Sequence, residues 1–351
     1  MKRELSAIAI ALALAYCGQA FADDNSATVT QSGGGNNATV SQDPFGGGAS
    51  AAVSQDGNSN SANVNQTGAG RDMTATVSST GNSNTATVLQ DGTNNGSASV
   101  TQDGNGNKAT INQKPDGSGF SNEAQASITQ QGNSNTATIN QVGTNCSGCS
   151  GNGASATINQ TSSGFTSFND SATINQIGLS FRSNAAITQD SGNNSSATVN
   201  QTGADQNATV NQQFMHAANA QIDQTGHSQT ATINQTLSVN FSTASIVQTD
   251  SNNSASITQN FNSNNNTASV TQSGTLQSAT ITQQNNTTGS NEWNDATILQ
   301  SGSSHLATIN QGGVGTPSSH NTVLITQTAF NNTAHATQTG GGGNSITITQ
   351  H

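Results

Sequence analysis

The sequence predicts an all-β protein, a flattened β-solenoid of about 13 two-stranded coils with cross-β stacking. Three observations carry this reading: a five-residue word repeated 26 times, strict alternation inside each word, and a word spacing that makes strands come in pairs. The word is Ala, small polar, Val or Ile, small polar, Gln. It starts as Ala27-Thr28-Val29-Thr30-Gln31 and Ala38-Thr39-Val40-Ser41-Gln42, and ends as Ile346-Thr347-Ile348-Thr349-Gln350. The third position is β-branched in every copy but Ala336, and the fifth is Gln in every copy but Ser79.

Period two with a β-branched centre is the pattern of a strand with two unlike faces. One face carries Ala, Val or Ile, and Gln, extended backwards by Asn two residues before the Ala, as at Asn36, Asn60, Asn84, Asn107 and Asn135. The other face is Thr, Ser or Asn. Between words lie Gly, Asn, Ser and Asp, which is turn chemistry. From Ala27 the words are spaced 11, 13, 11, 13, 11, 12 and 11 residues apart, so a tight turn alternates with a looser connection. Two strands and two turns make one coil of a solenoid. The pairing changes phase around Ala156, Ala172 and Ala185, where either a bulged coil or a join between two sub-solenoids is expected.

Composition excludes the alternatives. Only 30% of the 351 residues are hydrophobic and 3% aromatic, too few for an ordinary globular core. At 7% charged residues, self-repelling disorder does not fit either. Stacking at ~4.8 Å sets each Val or Ile over its counterpart and each inward Gln over a Gln, whose amide donates and accepts along the stack. The expected self-assembly ladder comprises Gln31, Gln42, Gln55, Gln66, Gln90, Gln102, Gln113, Gln327, Gln338 and Gln350, with Val29, Val40, Ile348, Asn36 and Asn60 beside it. The first word follows four residues after the expected cleavage point and the last ends at Gln350, so no capping segment is expected, and both end coils should present unpaired edges to a second copy.

Residues 1–22 read as an export signal: Lys2 and Arg3, an apolar run from Ala7 to Tyr16, and Ala20-Phe21-Ala22 as cleavage site. A lipid attachment at Cys17 competes, against which stands the bulky Tyr16 before it. Removing the signal leaves four basic and sixteen acidic residues. That balance offers no footprint for nucleic acid or an anionic membrane, and no later stretch is apolar enough to span a bilayer. Cys146 and Cys149 are the candidates for a local disulfide, two thiols without a role being the alternative. No metal, cofactor or catalytic residue is expected: the six His residues show no ligand spacing, and Gly46–Gly48 and Gly340–Gly343 lack the Lys and helix of a phosphate loop.

Ala-x-Val/Ile-x-Gln, a Gly/Asn turn, then Asn-x-Ala-x-x-x-Gln, as in Ser26 to Gln42, resembles the curlin repeat of the curli major and minor subunits, over nearly all of residues 25–350. The resemblance implies a secreted functional amyloid that polymerises with itself on the cell surface, for biofilm matrix, adhesion and aggregation. It implies as partners a nucleator subunit, an outer-membrane secretion channel and periplasmic chaperones, and it assigns nucleation and elongation to positions such as Gln31, Gln42, Gln55, Gln66, Asn36 and Asn60. Three departures stand out: many more repeats than the handful of familiar curlins, Asp23 and Asp24 in place of a channel-addressing segment, and insertions near 114–125, 142–155, 284–295 and 312–322. The rival readings are a monomeric surface adhesin using Phe165, Phe168 and Trp293, and an ice-binding protein. The latter needs a regular Thr-x-Thr face, and only three words carry one.

Overall fold

A computed structural model of the chain describes residues 24–42, 47–68, 70–115, 121–143, 153–161, 169–178, 182–214, 216–236, 241–260, 265–284, 293–314 and 320–351. The expected signal, the central residues of the four insertions, Cys146, Cys149, Phe165 and Phe168 lie outside these. Every word forms a strand, and successive strands alternate between two sheets of thirteen. The first sheet runs from Ser26–Ser32 through Ser50–Asn58 and Thr74–Asn82 to Thr333–Gly341; the second runs from Asn37–Gln42 through Ser61–Thr67 and Thr85–Asp91 to Ser345–Gln350. All pairing is parallel and places each word over the next, Ala27 on Ala51 on Ala75, Val29 on Val53 on Val77.

In each sheet the two outermost strands have one neighbour, so about eleven turns are enclosed on both sides. The expected thirteen equivalent coils are too many by those open ends. The described residues contain no helix, which follows from β-branched centres at period two and from Gly and Asn at every break.

The core is one thin line of Ala and Val or Ile between the sheets, closed by Gln on one side. From Ala51 to Ala336 these apolar side chains are buried. The phase change needs neither a bulge nor a join. Ala126, Ala156 and Ala185 stack in the first sheet, Ala137, Ala172 and Ala197 in the second, without interruption. What changes is the edge that carries the two-residue turn. Up to Val142 those turns (59–60, 83–84, 106–107, 134–135) lead from the first sheet to the second; from Ser196 to Gly341 (205–206, 228–229, 252–253, 276–277, 304–305, 331–332) they lead back from the second to the first. The longer connections stand on the opposite edge in each half. One stacks beyond the main sheets, where Ser121–Asn122 pairs with Thr93–Asn94.

The turns impose a sharp steric requirement. Before each early turn stands a glycine, Gly57, Gly81, Gly104 or Gly132, with φ between 102° and 130°. Its neighbour in the next coil lies so close that a Cβ on Gly57 would sit 1.9 Å from the carbonyl oxygen of Gly81. Neither the backbone angle nor the spacing admits a side chain. Gly57→Ala is therefore expected to destabilise the rod by more than about 3 kcal/mol. Gly341→Ala, where a Cβ would meet nothing within 4 Å, should be near neutral. Urea unfolding followed by circular dichroism checks the contrast, and equal effects of the two substitutions would contradict the stacking geometry.

Candidate functional site: amide ladders and open ends

A buried polar side chain must find partners inside the protein. In an in-register stack those at hand are copies of itself and the backbone across the core. Glutamine uses both. In the second sheet Gln42 Nε2 donates to Gln66 Oε1, Gln66 to Gln90, Gln90 to Gln113 and Gln113 to Gln141, each at 2.9 Å. The series continues without a gap to Gln300, Gln327 and Gln350 at 2.8 Å. The same Nε2 reaches across the core to a main-chain carbonyl, as Gln66 does to Ser50 O at 3.1 Å and Gln113 to Ser97 O at 3.1 Å. In the first sheet Gln31 donates to Gln55 at 2.7 Å, and Gln102 opens a run that ends Gln283, Gln311, Gln338 at 2.8 and 3.0 Å. Ser79 interrupts that ladder; its hydroxyl donates to Gln102 Oε1 at 3.1 Å and keeps the acceptor satisfied.

Every one of these bonds points the same way, from Nε2 of one coil to Oε1 of the next. The ends therefore differ. At the start, Gln31 and Gln42 are half-buried, Val40 and Asn36 half-buried and Val29 36% exposed. Among the described residues no coil donates to the two Gln oxygens. At the other end Ile348 and Gln350 are half-buried and Gln338 is buried with its Nε2 unpartnered. Between the ends Gln55, Gln66, Gln90, Gln102, Gln113 and Gln327 are fully buried.

The asparagine two residues before the Ala forms a further ladder along one edge. Asn60 Nδ2 caps the carbonyl of Gly81 at 2.9 Å, and its Oδ1 accepts the N–H of Asn84 at 3.0 Å. Asn84 and Asn107 repeat this, and Asn135 accepts the N–H of Asp170 while its Nδ2 donates to Gln131 O at 3.2 Å. Sequence reasoning missed two occupants of this position that the spacing would have found, Asp170 before Ala172 and His305 before Ala307. His305 serves the opposite edge, fully buried, with Nε2 on Ser301 O at 3.0 Å and Nδ1 accepting the N–H of Asn332 at 3.3 Å. Asp170 follows Asn135: its N–H donates to Asn135 Oδ1 at 3.2 Å and its Oδ1 accepts Ser195 N–H at 2.9 Å. Burial pushes its carboxyl from 3.8 up to about 6, the Ser195 N–H opposing only in part. Also missed were two solvent-side ladders. Asn58, Asn82, Asn105 and Asn133 join at 2.9–3.0 Å along the turns, and Asn112, Asn140, Asn175 and Asn200 join at 2.7–2.8 Å on the outer face, ending on Asp223.

Among the described residues no three His, Cys, Asp or Glu side chains converge as metal ligands, and no helix is long and apolar enough to cross a membrane. The chemistry on offer is amide hydrogen bonding, and it sets a test. Gln141 Nε2 donates to Gln125 O, Ala154 O and Gln176 Oε1 at 2.9–3.0 Å. Gln141→Ser, which imitates Ser79, should cost about 1–3 kcal/mol. Gln141→Glu, a buried charge that no longer donates, should cost about 3–5 kcal/mol at neutral pH and less on acidification. Urea midpoints at pH 4 and pH 7.5 read this, and a Glu variant as stable as the Ser variant at pH 7.5 would refute the ladder's role.

No curated protein matches the chain. The family model of the curlin-associated repeat matches residues 22–57, 81–114 and 320–351, the two end coils among them. The chain carries curlin repeats at both ends of its rod and within its first half, on the residues that build the ladders.

Proposed function

We propose that the protein is a structural subunit of a secreted, curli-like amyloid fibre, in which copies stack end to end on the cell surface and serve as adhesive and biofilm matrix. The observation that carries this reading is the pair of open ends. Ser26–Ser32 and Asn37–Gln42 at one end, and Thr333–Gly341 and Ser345–Gln350 at the other, each have a strand on one side only. Unpaired parallel edges of this length template further strands. Their ladders are complementary: Gln338 offers a donor without a partner, and Gln31 an acceptor to which no described residue donates. Little charge opposes the join, since the strand words of both ends contain no Asp, Glu, Lys or Arg. The curlin repeats support the extracellular setting. A nucleator, a secretion channel and chaperones belong to this reading as partners.

The test uses the chain without residues 1–22, diluted from denaturant at micromolar concentration. It should form fibres with a ~4.7 Å reflection, while Val29→Lys combined with Ile348→Lys, charged only at the end coils, should keep the same β signal and stay monomeric. Wild-type protein that remains monomeric for days would overturn the fibre reading and return attention to an adhesin, whose edge aromatic would be Trp293, packed on His320 at 5.0 Å.

A further inference from the structure

Of the thirteen strands of the second sheet, twelve follow an uncharged residue at the edge position described above for asparagine, and one follows an acid. Along that edge the occupants run Asn36, Asn60, Asn84, Asn107, Asn135, Asp170, Ser195, Ala218, Ser242, Asn266, Asn294, Asn321 and Asn344. At the two-residue turns an asparagine here does two jobs: Oδ1 accepts the N–H of the next coil, and Nδ2 donates to carbonyls, as Asn84 does to Thr80 O at 3.0 Å and Gly104 O at 2.8 Å; Asn266, after a longer connection, keeps the first, its Nδ2 buried without a partner. Asp170 keeps the first job, accepting Ser195 N–H at 2.9 Å. Its second oxygen, Oδ2, is buried with no hydrogen-bond partner, and the whole residue is 1% exposed.

We propose that Asp170 is a proton-dependent member of the edge ladder, completing it as a neutral acid and breaking it as a carboxylate. A protonated carboxyl has the shape of the asparagine amide and carries O–H where asparagine carries N–H, so Oδ2 is then neutral and a donor, as Nδ2 is in asparagine. Once ionised, the same oxygen holds charge in a buried place with no donor to stabilise it.

The surroundings leave the charge uncompensated. Among the described residues, the coil before Asp170 meets it through Asn135 and Thr136, and the coil after through Gly192 and Ser195. None is charged. A Cβ on Gly192 would lie 2.6 Å from Oδ2, so that backbone closes over the carboxyl. Among the described residues, the neighbouring connections of this edge carry two titratable groups, Asp190 and His216. Asp190, an acid, accepts the hydroxyls of Ser191 and Thr161. His216, bridged through its backbone to Asn193, packs its ring on Phe241 at 5.4 Å.

The sign follows from the raised carboxyl. The folded rod holds this proton up to about pH 6, whereas the unfolded chain releases it near 3.8. The stabilisation is thus complete below 3.8 and lost as pH rises to about 6. This concerns the rod itself and stands whether or not copies polymerise.

The experiment compares urea unfolding of the full exported chain with its Asp170→Asn variant, at pH 3.5 to 7.5. Between those limits the wild type's unfolding constant should rise about a hundredfold more than the variant's, and the variant should be the more stable at pH 7.5. Equal pH dependence of the two proteins overturns the proposal. Should unfolding prove irreversible, carbon-13 carboxyl resonances of the folded, aspartate-labelled chain decide, with Asp170→Asn assigning the peak. A midpoint near 6 supports the proposal, and one below 4.5 overturns it.

Discussion

In a parallel stack held in register, the nearest neighbour of every side chain is the residue at the same position one coil away, ~4.8 Å distant. All else in this molecule depends on that. A position is acceptable only if its side chain is compatible with copies of itself. Val and Ile pass by packing, Ala by being small, Gln and Asn by donating and accepting at once. A carboxylate or an ammonium at an inward position would face its own charge thirteen times over. The scarcity of charged residues, 7% of the chain, is thus a requirement of the stack and not a mark of disorder, and the near-absence of aromatics reflects a core only one side chain thick.

Much of this was legible because the constraint acts on single positions. The word Ala-x-Val/Ile-x-Gln states which side chains face inward, and the alternation of 11 with 12 or 13 residues states how they pair. Two features escaped. The first is the passage around Ala156, Ala172 and Ala185. Spacing alone reports which connections are short, and three successive strands with longer connections on both sides look like a missing partner. Register decides otherwise, since Ala156 finds Ala126 and Ala185 on either side, and connection length is free to vary as long as stacking is kept. The second is the set of solvent-side asparagine ladders. Asn58 and Asn112 stand in ordinary turn and outward positions, where composition alone supplies asparagine, so only coordinates distinguish a bonded row from a polar surface.

The move of the tight turns from one edge to the other explains a choice that the words leave open. A two-residue turn leaves strand-end carbonyls pointing into the rod, and a buried amide must cap them, as Asn60 does on the early edge and Gln206, Gln229, Gln277 and His305 do on the late one. Where the connection is longer, the position is free to vary: Ala49, Met73, Ala124 and Ala154 are buried and apolar, whereas Ser195, Asn266, Asn294 and Asn321 are buried and polar. Asp170 also follows a long connection and keeps one hydrogen bond of the asparagine ladder, accepting Ser195 N–H.

The ladders also give the rod a direction. Along the unbroken runs each Gln donates toward the C-terminal coil, while edge asparagines such as Asn60 and Asn107 accept from it. Had amide orientation alternated, either end could meet either end. With a single orientation, a head-to-head meeting would set the oxygens of Gln31 and Gln42 against identical oxygens, and a tail-to-tail meeting would set Gln338 Nε2 against Nε2. Only the last coil of one copy over the first of another pairs donor with acceptor at both Gln rows. Asn36 N–H then meets Asn344 Oδ1 in the sense the edge already uses. Polarity that begins as the chemistry of one amide, unable to donate and accept in the same direction, thus becomes a property of the whole rod and of any stack built from it.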